Sequence, residues 1–185
     1  MRAEEQVDTW KWCNWVEEHL PVAIIHEECI EDYDYSKVIT SAFNTGRPFI
    51  TLEQDILPST ELLDAMMRCN NPIETSNYIL YPSSTALGEP VSCNRVIATP
   101  GTTRWVTEQR FADFFSLGFT MFREVRQLSP IVLPAIQDGV VWWYLDHTIS
   151  KELWRYGVPV HIHREPIIHN HGREKWENEM KVQKK

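Results

Sequence analysis

Two carboxylates two residues apart, Glu53 and Asp55, stand where an apolar run ends. Phe49, Ile50 and Leu52 read as a short buried strand, and the chain then breaks into Glu53-Gln54-Asp55 before Pro58. In open α/β sheets, ligands bind just outside the carboxyl ends of the strands. Acidic side chains at i and i+2 across such an end can share one hard cation and its bound phosphates. A Glu and an Asp after a strand are also ordinary turn formers and helix-dipole partners, so the pattern alone leaves both readings open.

The histidines are a second concentration of chemistry. Five of the seven lie between positions 147 and 171. His161 and His163 share one face of a strand, as period two requires. They read either as part of an all-histidine zinc site or as a surface face. The surface reading is preferred, because paired strand histidines without a third fixed ligand are common. His169 and His171 follow an apolar strand, as Glu53 and Asp55 do. In a parallel sheet such ends share an edge, and carboxylate plus neutral imidazole suits Mn²⁺. Asp146 is the third candidate. It stands where a helix N-cap belongs, and it could equally be a general base for an acceptor hydroxyl. Trp142-Trp143-Tyr144 before it would form an apolar wall, as a sugar platform or as core.

These residues must be positioned by regular elements. The spacing predicts a helix over 8–19 ended by Pro21, then a strand over 22–25 leading into the acidic loop 27–34. A helix follows, capped by Asp34 or Ser36, with Val38, Ile39, Ala42 and Phe43 inward and Gly46 as its stop. After the 49–52 strand, Ser59 or Thr60 caps a helix that buries Leu62, Leu63, Met66 and Met67. Helix, strand, helix, strand, helix is the signature of a parallel α/β unit. Further on, strands are expected over 77–81, 95–98 and 119–123, and a helix over 107–117. A proline-containing loop is expected over 129–139, a helix over 146–156 stopped by Gly157, and a strand over 158–163.

The 185 residues suit one domain, assigned to 1–172 with a polar tail over 173–185. A net charge of −8 without a Lys/Arg stripe argues against nucleic acid as a partner. The apolar runs are too short for a membrane span, and no signal segment precedes the first helix. Cys13, Cys29, Cys69 and Cys93 are widely spaced and read as free thiols. A cytoplasmic protein is the expectation. No G-x-G-x-x-G, P-loop or nucleophile-elbow motif occurs, which argues against dinucleotide, P-loop and α/β-hydrolase chemistry.

The ordered set of motifs resembles the GT-A-fold glycosyltransferases, in the small form known from some viruses, including archaeal ones. The segment 49–56 looks like that family's strand and acidic metal motif in an E-x-D form. Residues 114–123 are similar to its acceptor-side segment. Trp143-Tyr144-Leu145-Asp146, with the helix and Gly157-Val158-Pro159-Val160 after it, resembles the catalytic-aspartate helix and its following strand. Ile168-His169-Asn170-His171 is similar to the C-terminal histidine that completes the metal site. The resemblance covers roughly residues 20–172.

It implies a single-domain, Rossmann-type α/β fold with a mixed sheet flanked by helices. It also implies a nucleotide-sugar donor held through Mn²⁺ or Mg²⁺, and a saccharide or glycoprotein acceptor. Asp55 would ligate the metal, with His169 or His171. Glu53 would sit on the donor ribose or on the metal through water, with Gln54 beside it. Asp146 would be the base of an inverting transfer. One departure concerns the family's first strand, which holds the base: here it is missing, shortened, or is the 22–25 strand itself. Two other function classes stand beside this one. They are a metal-dependent hydrolase using the histidines with Asp55 or Asp146, and a non-catalytic sugar-binding module of the same fold.

Overall fold

The computed structural model describes residues 3–20, 24, 25, 27, 29, 31–53, 55–80, 91–99, 102–105, 110–136, 139–165 and 167–169. Helix α1 (Ala3–His19) comes first and α2 (Asp34–Asn44) second. Residues 21–23 lie outside the described residues, and Ile24 and Ile25 belong to no strand, with Ile25 largely exposed. The expected early strand is therefore not found at these two positions, and α2 follows α1 directly among the described elements. Helix α2 starts after Tyr33 without a side-chain cap. Asp34 instead accepts from the Glu31 N–H at 2.9 Å. Gly46, at φ +65, follows the end of α2 as expected.

Strand β1 (Phe49–Leu52) leads through a turn to β2 (Ile56–Pro58) and α3 (Thr60–Arg68). The Ser59 hydroxyl caps α3 by accepting from the Leu62 N–H at 3.1 Å. Leu62, Leu63 and Met66 are buried, but Met67 is exposed and not part of the core. Strands β3 (Ile73–Ser76), β4 (Ile79–Leu80), β5 (Val91–Ser92), β6 (Arg95–Thr99), β7 (Thr102–Trp105) and β8 (Phe111–Ala112) follow. The expected helix over 107–117 is replaced at its described positions by β8 and an irregular segment. Phe115 and Leu117 are buried there, and Phe111 is exposed, so the three do not form one helical stripe.

Strand β9 (Phe119–Phe122) precedes two helices, α4 (Val125–Ile136) and α5 (Trp142–Arg155). Helix α4 occupies most of what reads as a proline loop. Pro130 and Pro134 are spaced i, i+4 and both are exposed, so the carbonyls they leave unpaired face the solvent side. Val125, Leu128, Val132 and Ile136 form the buried stripe that holds the helix despite them. Helix α5 ends at Gly157, at φ +66, and β10 (Val160–His163) and β11 (Ile167–His169) close the described chain.

The main sheet has the order β1-β9-β3-β10-β8 and is mixed. Only β3 and β10 run parallel, while β9 is antiparallel to both β1 and β3, and β8 to β10. The fold is thus α/β with a mixed open sheet, and not the parallel unit expected. One sheet face carries Phe49, Phe122, Ile73, Val160 and Ile162 and packs on α2, α4 and α5. The other carries Ile50, Leu52, Phe119 and Met121 and packs on α1, α3 and β2. Phe43, Phe49 and Phe122 interlock, with ring centroids 4.9 to 5.2 Å apart. Among the described residues, no helix is long and apolar enough to cross a membrane.

A helix at 125–136 has a direct consequence. Pro134→Ala should stabilise the protein by about 1 kcal/mol or more, since it restores an N–H to a helix interior. In a loop the same change would lower stability through the unfolded chain. Denaturant melts of the two proteins give the sign.

Candidate functional site

The turn after β1 is closed by the Ile56 N–H, which donates to the Glu53 carbonyl at 3.0 Å. The Glu53 N–H donates to the Gly118 carbonyl at 2.9 Å, which extends the β1–β9 ladder one step beyond Leu52. Glu53 is therefore fixed against the segment 116–118 that leads into β9. Threonines hold that segment in turn. Thr51 Oγ1 donates to the Leu117 carbonyl at 2.5 Å and Thr120 Oγ1 to the Ser116 carbonyl at 2.7 Å. Thr75 Oγ1 pairs with Thr120 Oγ1 at 2.8 Å.

Asp146 meets the same segment from α5. The Ser116 hydroxyl and the Leu117 N–H face its carboxylate and favour its ionised form. The Tyr78 hydroxyl reaches Ser116 Oγ at 2.5 Å, so a chain of hydroxyls runs from Tyr78 through Ser116 to Asp146. Gly118 is required for this packing: a Cβ there would lie 2.9 Å from Tyr78 Cζ and closer still to its hydroxyl. Asp146 is not an N-cap. Helix α5 begins at Trp142, with Val141 as a cap that offers no side chain, and Asp146 lies a full turn inside.

The carboxyls interact strongly. Burial, then Asp146 and then Asp55, push the Glu53 carboxyl up to about 8, against a lowering by the Tyr35 hydroxyl. Burial pushes Asp146 up to about 6, against the hydrogen bonds from Ser116 and Leu117. Tyr35, on α2, is raised well above the ordinary phenol range by burial and then by Glu53 and Asp146. Its hydroxyl is buried beside Glu53, outside good hydrogen-bonding geometry. Three carboxyls from two distant parts of the chain and one phenol therefore form a single electrostatic unit.

Strand β11 pairs with β2 antiparallel, His169 opposite Ile56. The backbone of His169 thus lies beside the residue that follows Asp55, through an antiparallel ribbon and not through the parallel edge expected. Gln54 and His171 lie outside the described residues. The side chains of Trp142 and Trp143 lie outside them too, and Tyr144 is exposed.

His161 and His163 are not a surface face. His163 is buried and its Nε2 contacts the fully buried Glu74 carboxylate. His161 is half-buried, with Nδ1 3.7 Å from Glu74 Oε2. Burial and then His163 lower the His161 pKa. The ligand atoms of Cys69, Glu74, His161 and His163 all lie within 4.8 Å of one another, a set that could hold a metal ion. Cys69 and Glu74 were not legible as partners. The strand Ile73–Ser76 is mostly polar in sequence, and the register that sets Glu74 opposite His161 exists only in the fold. All four cysteines are free thiols.

The chain matches no protein-family model and no curated protein.

The raised carboxyls give a pH signature. Glu53 binds its proton more tightly folded than unfolded, so this contribution is full below about 4.5 and lost as pH rises toward about 8. Chelator-treated protein should therefore lose stability across that window. Glu53→Gln, which keeps the neutral shape, should flatten the decline above about 6, where Asp146 has already titrated. Denaturation series at several pH values measure both slopes, and equal slopes would place Glu53 in open solvent.

Proposed function

We propose that this protein is a metal-dependent glycosyltransferase that moves a sugar from a nucleotide-sugar donor to a saccharide or protein acceptor, with inversion. The observation that carries the reading is the meeting of the Glu53/Asp55 turn with Asp146. These are the positions that the resemblance to the GT-A glycosyltransferases assigns to donor and acceptor chemistry. They come from distant parts of the chain and act on one another in a partly buried site.

The donor set suits a hard cation. The groups acting on Glu53 are burial, two more carboxylates and a phenol, with no cation among the described residues to offset them. Such a set favours Mn²⁺ or Mg²⁺ through ionised oxygens. Asp55 and Glu53 would hold it, and β11 sets the backbone of His169 opposite Ile56, next to Asp55 in the chain. The cation supplies positive charge to a diphosphate leaving group.

Asp146 supplies the proton chemistry. A carboxyl raised to about 6 is still mostly ionised at neutral pH, yet more basic than an exposed aspartate. It takes the proton of the acceptor hydroxyl as that oxygen bonds to the anomeric carbon and the sugar–phosphate bond breaks. Ser116 and Leu117 N–H orient the carboxylate, and Tyr78 orients Ser116. The hydrolase alternative draws its histidines to Asp55 or Asp146, and two of the candidates are placed elsewhere. His161 and His163 instead share a sheet face with Glu74, on the side of α3.

Melting shifts with Mn²⁺, with UDP- and GDP-sugars, and with both test the donor step. Stabilisation should require both, and Asp55→Asn should abolish it while leaving a cooperative fold. Metal alone would point to a hydrolase, and neither to a sugar-binding module.

Asp146→Asn separates catalyst from scaffold. The amide can still accept from the Leu117 N–H and removes a buried charge. Stability should change by less than about 1 kcal/mol, while transfer slows about a hundredfold or more. Full activity in this variant would remove Asp146 as the base.

A further inference from the structure

The second cluster lies on the opposite sheet face from Asp146 and takes a different kind of metal. We infer that Cys69, Glu74, His161 and His163 form a zinc-class site that fastens the end of α3 to the β3–β10 pair. The inference is independent of the transferase reading.

The geometry has the parts of a built site. The four donors come from three elements: the residue after α3, the second residue of β3, and alternate residues of β10. Parallel pairing sets His161 opposite Glu74 and His163 opposite Ser76, so both imidazoles and the carboxylate share one face. The ligand atoms converge within 4.8 Å. Glu74 is wholly buried, and one oxygen, Oε1, is taken by the Asn71 N–H at 3.2 Å. The other, Oε2, faces both histidines. His161 Nδ1 is buried and has no hydrogen-bond partner. It is too far from Glu74 for a direct bond and well placed for an ion between them.

The outer contacts fit as well. His163 Nδ1 lies 3.3 Å from Glu165 Oε2, so a carboxylate is in place to fix the tautomer, while Nε2 contacts Glu74 Oε2 directly, a contact that an ion between the two would replace. Two cations lie nearby: Arg110 acts on His161, and Arg123 reaches Glu74 Oε1 only at 3.9 Å and donates to the Met66 carbonyl at 2.7 Å. A thiolate, two imidazoles and a carboxylate are a tetrahedral donor set for Zn²⁺, and a poor one for Mg²⁺ or Mn²⁺. Binding releases the Cys69 thiol proton to solvent and leaves every ligand in its coordinating form.

Cobalt reports on the site directly. Chelator-stripped full-length protein is titrated with Co²⁺ and then with Zn²⁺. One equivalent of Co²⁺ should give the intense visible bands of tetrahedral cobalt and a near-ultraviolet thiolate charge-transfer band, both erased by Zn²⁺. Cys69→Ser should lose the charge-transfer band and weaken Zn²⁺ binding about tenfold or more. Asp55→Asn should leave the spectrum intact, which separates this site from the acidic one. Zn²⁺ should raise the melting temperature of the wild type more than that of Cys69→Ser. Wild-type protein without the charge-transfer band, or a band that survives Cys69→Ser, overturns the assignment. Because the wild-type spectrum is itself decisive, misfolding of a variant cannot rescue the idea.

Discussion

A single backbone hydrogen bond, from the Glu53 N–H to the Gly118 carbonyl, fixes where both halves of the acidic site sit. It continues the β1–β9 ladder one residue past the last strand pair, Leu52 with Phe119. That step ties the turn bearing Glu53 and Asp55 to the segment bearing Ser116 and Leu117. Those two residues hold Asp146. Without this register the carboxyls of β1 and α5 would have no common anchor. The demand on residue 118 follows: any side chain there would strike Tyr78, whose hydroxyl supports Ser116.

The same region shows what a buried acidic site requires from the rest of a domain. Glu53 and Asp146 are raised mainly by loss of water, and both meet donors that offset only part of that loss. The interior beside it is correspondingly polar. Thr51, Thr75, Thr120 and Ser150 are buried, and each is hydrogen-bonded to a backbone or hydroxyl group. Aliphatic residues at those positions would pack as well, but they would leave the carbonyls of 115–117 unpaired. The stability of the sheet is instead carried one level further from the site, by the Phe43–Phe49–Phe122 cluster and the α4 stripe.

Local chemistry made part of this legible in the sequence. Ser59 as a cap and Gly46 and Gly157 as stops depend on nearest neighbours, and they stand in the fold where the residues indicate. The strands at 49–52 and 119–122 are short apolar runs and were equally visible. What failed depended on contacts across the chain. The residues point to a helix that begins at a cap at Asp146. Instead the helix starts at Trp142, because Leu145, Ile149 and Leu153 need one continuous stripe against the core. Pro130 and Pro134 hid α4 because their burden falls on an exposed face. The sequence Ile73-Glu74-Thr75-Ser76 lacks the apolar content of a central strand, yet all four residues are buried.

That last strand explains why the histidines were misjudged. A strand with alternating histidines has a polar face, and a polar face is ordinarily turned to water. Here water is excluded by α3 and by the neighbouring strands, and the face is completed by Glu74 from β3. Period two also separates the two polar sites. Along β1, Ile50 and Leu52 point toward α3, while Thr51 and then Glu53 point toward α2 and α5. Along β3, Glu74 and Thr75 diverge in the same way. Their neighbours on β9, Met121 and Thr120, keep that alternation in register. The sheet therefore separates the Glu53/Asp55/Asp146 cluster from the Cys69/Glu74/His161/His163 one. Two clusters of titratable side chains are thus kept on opposite faces by the pleat of four strands.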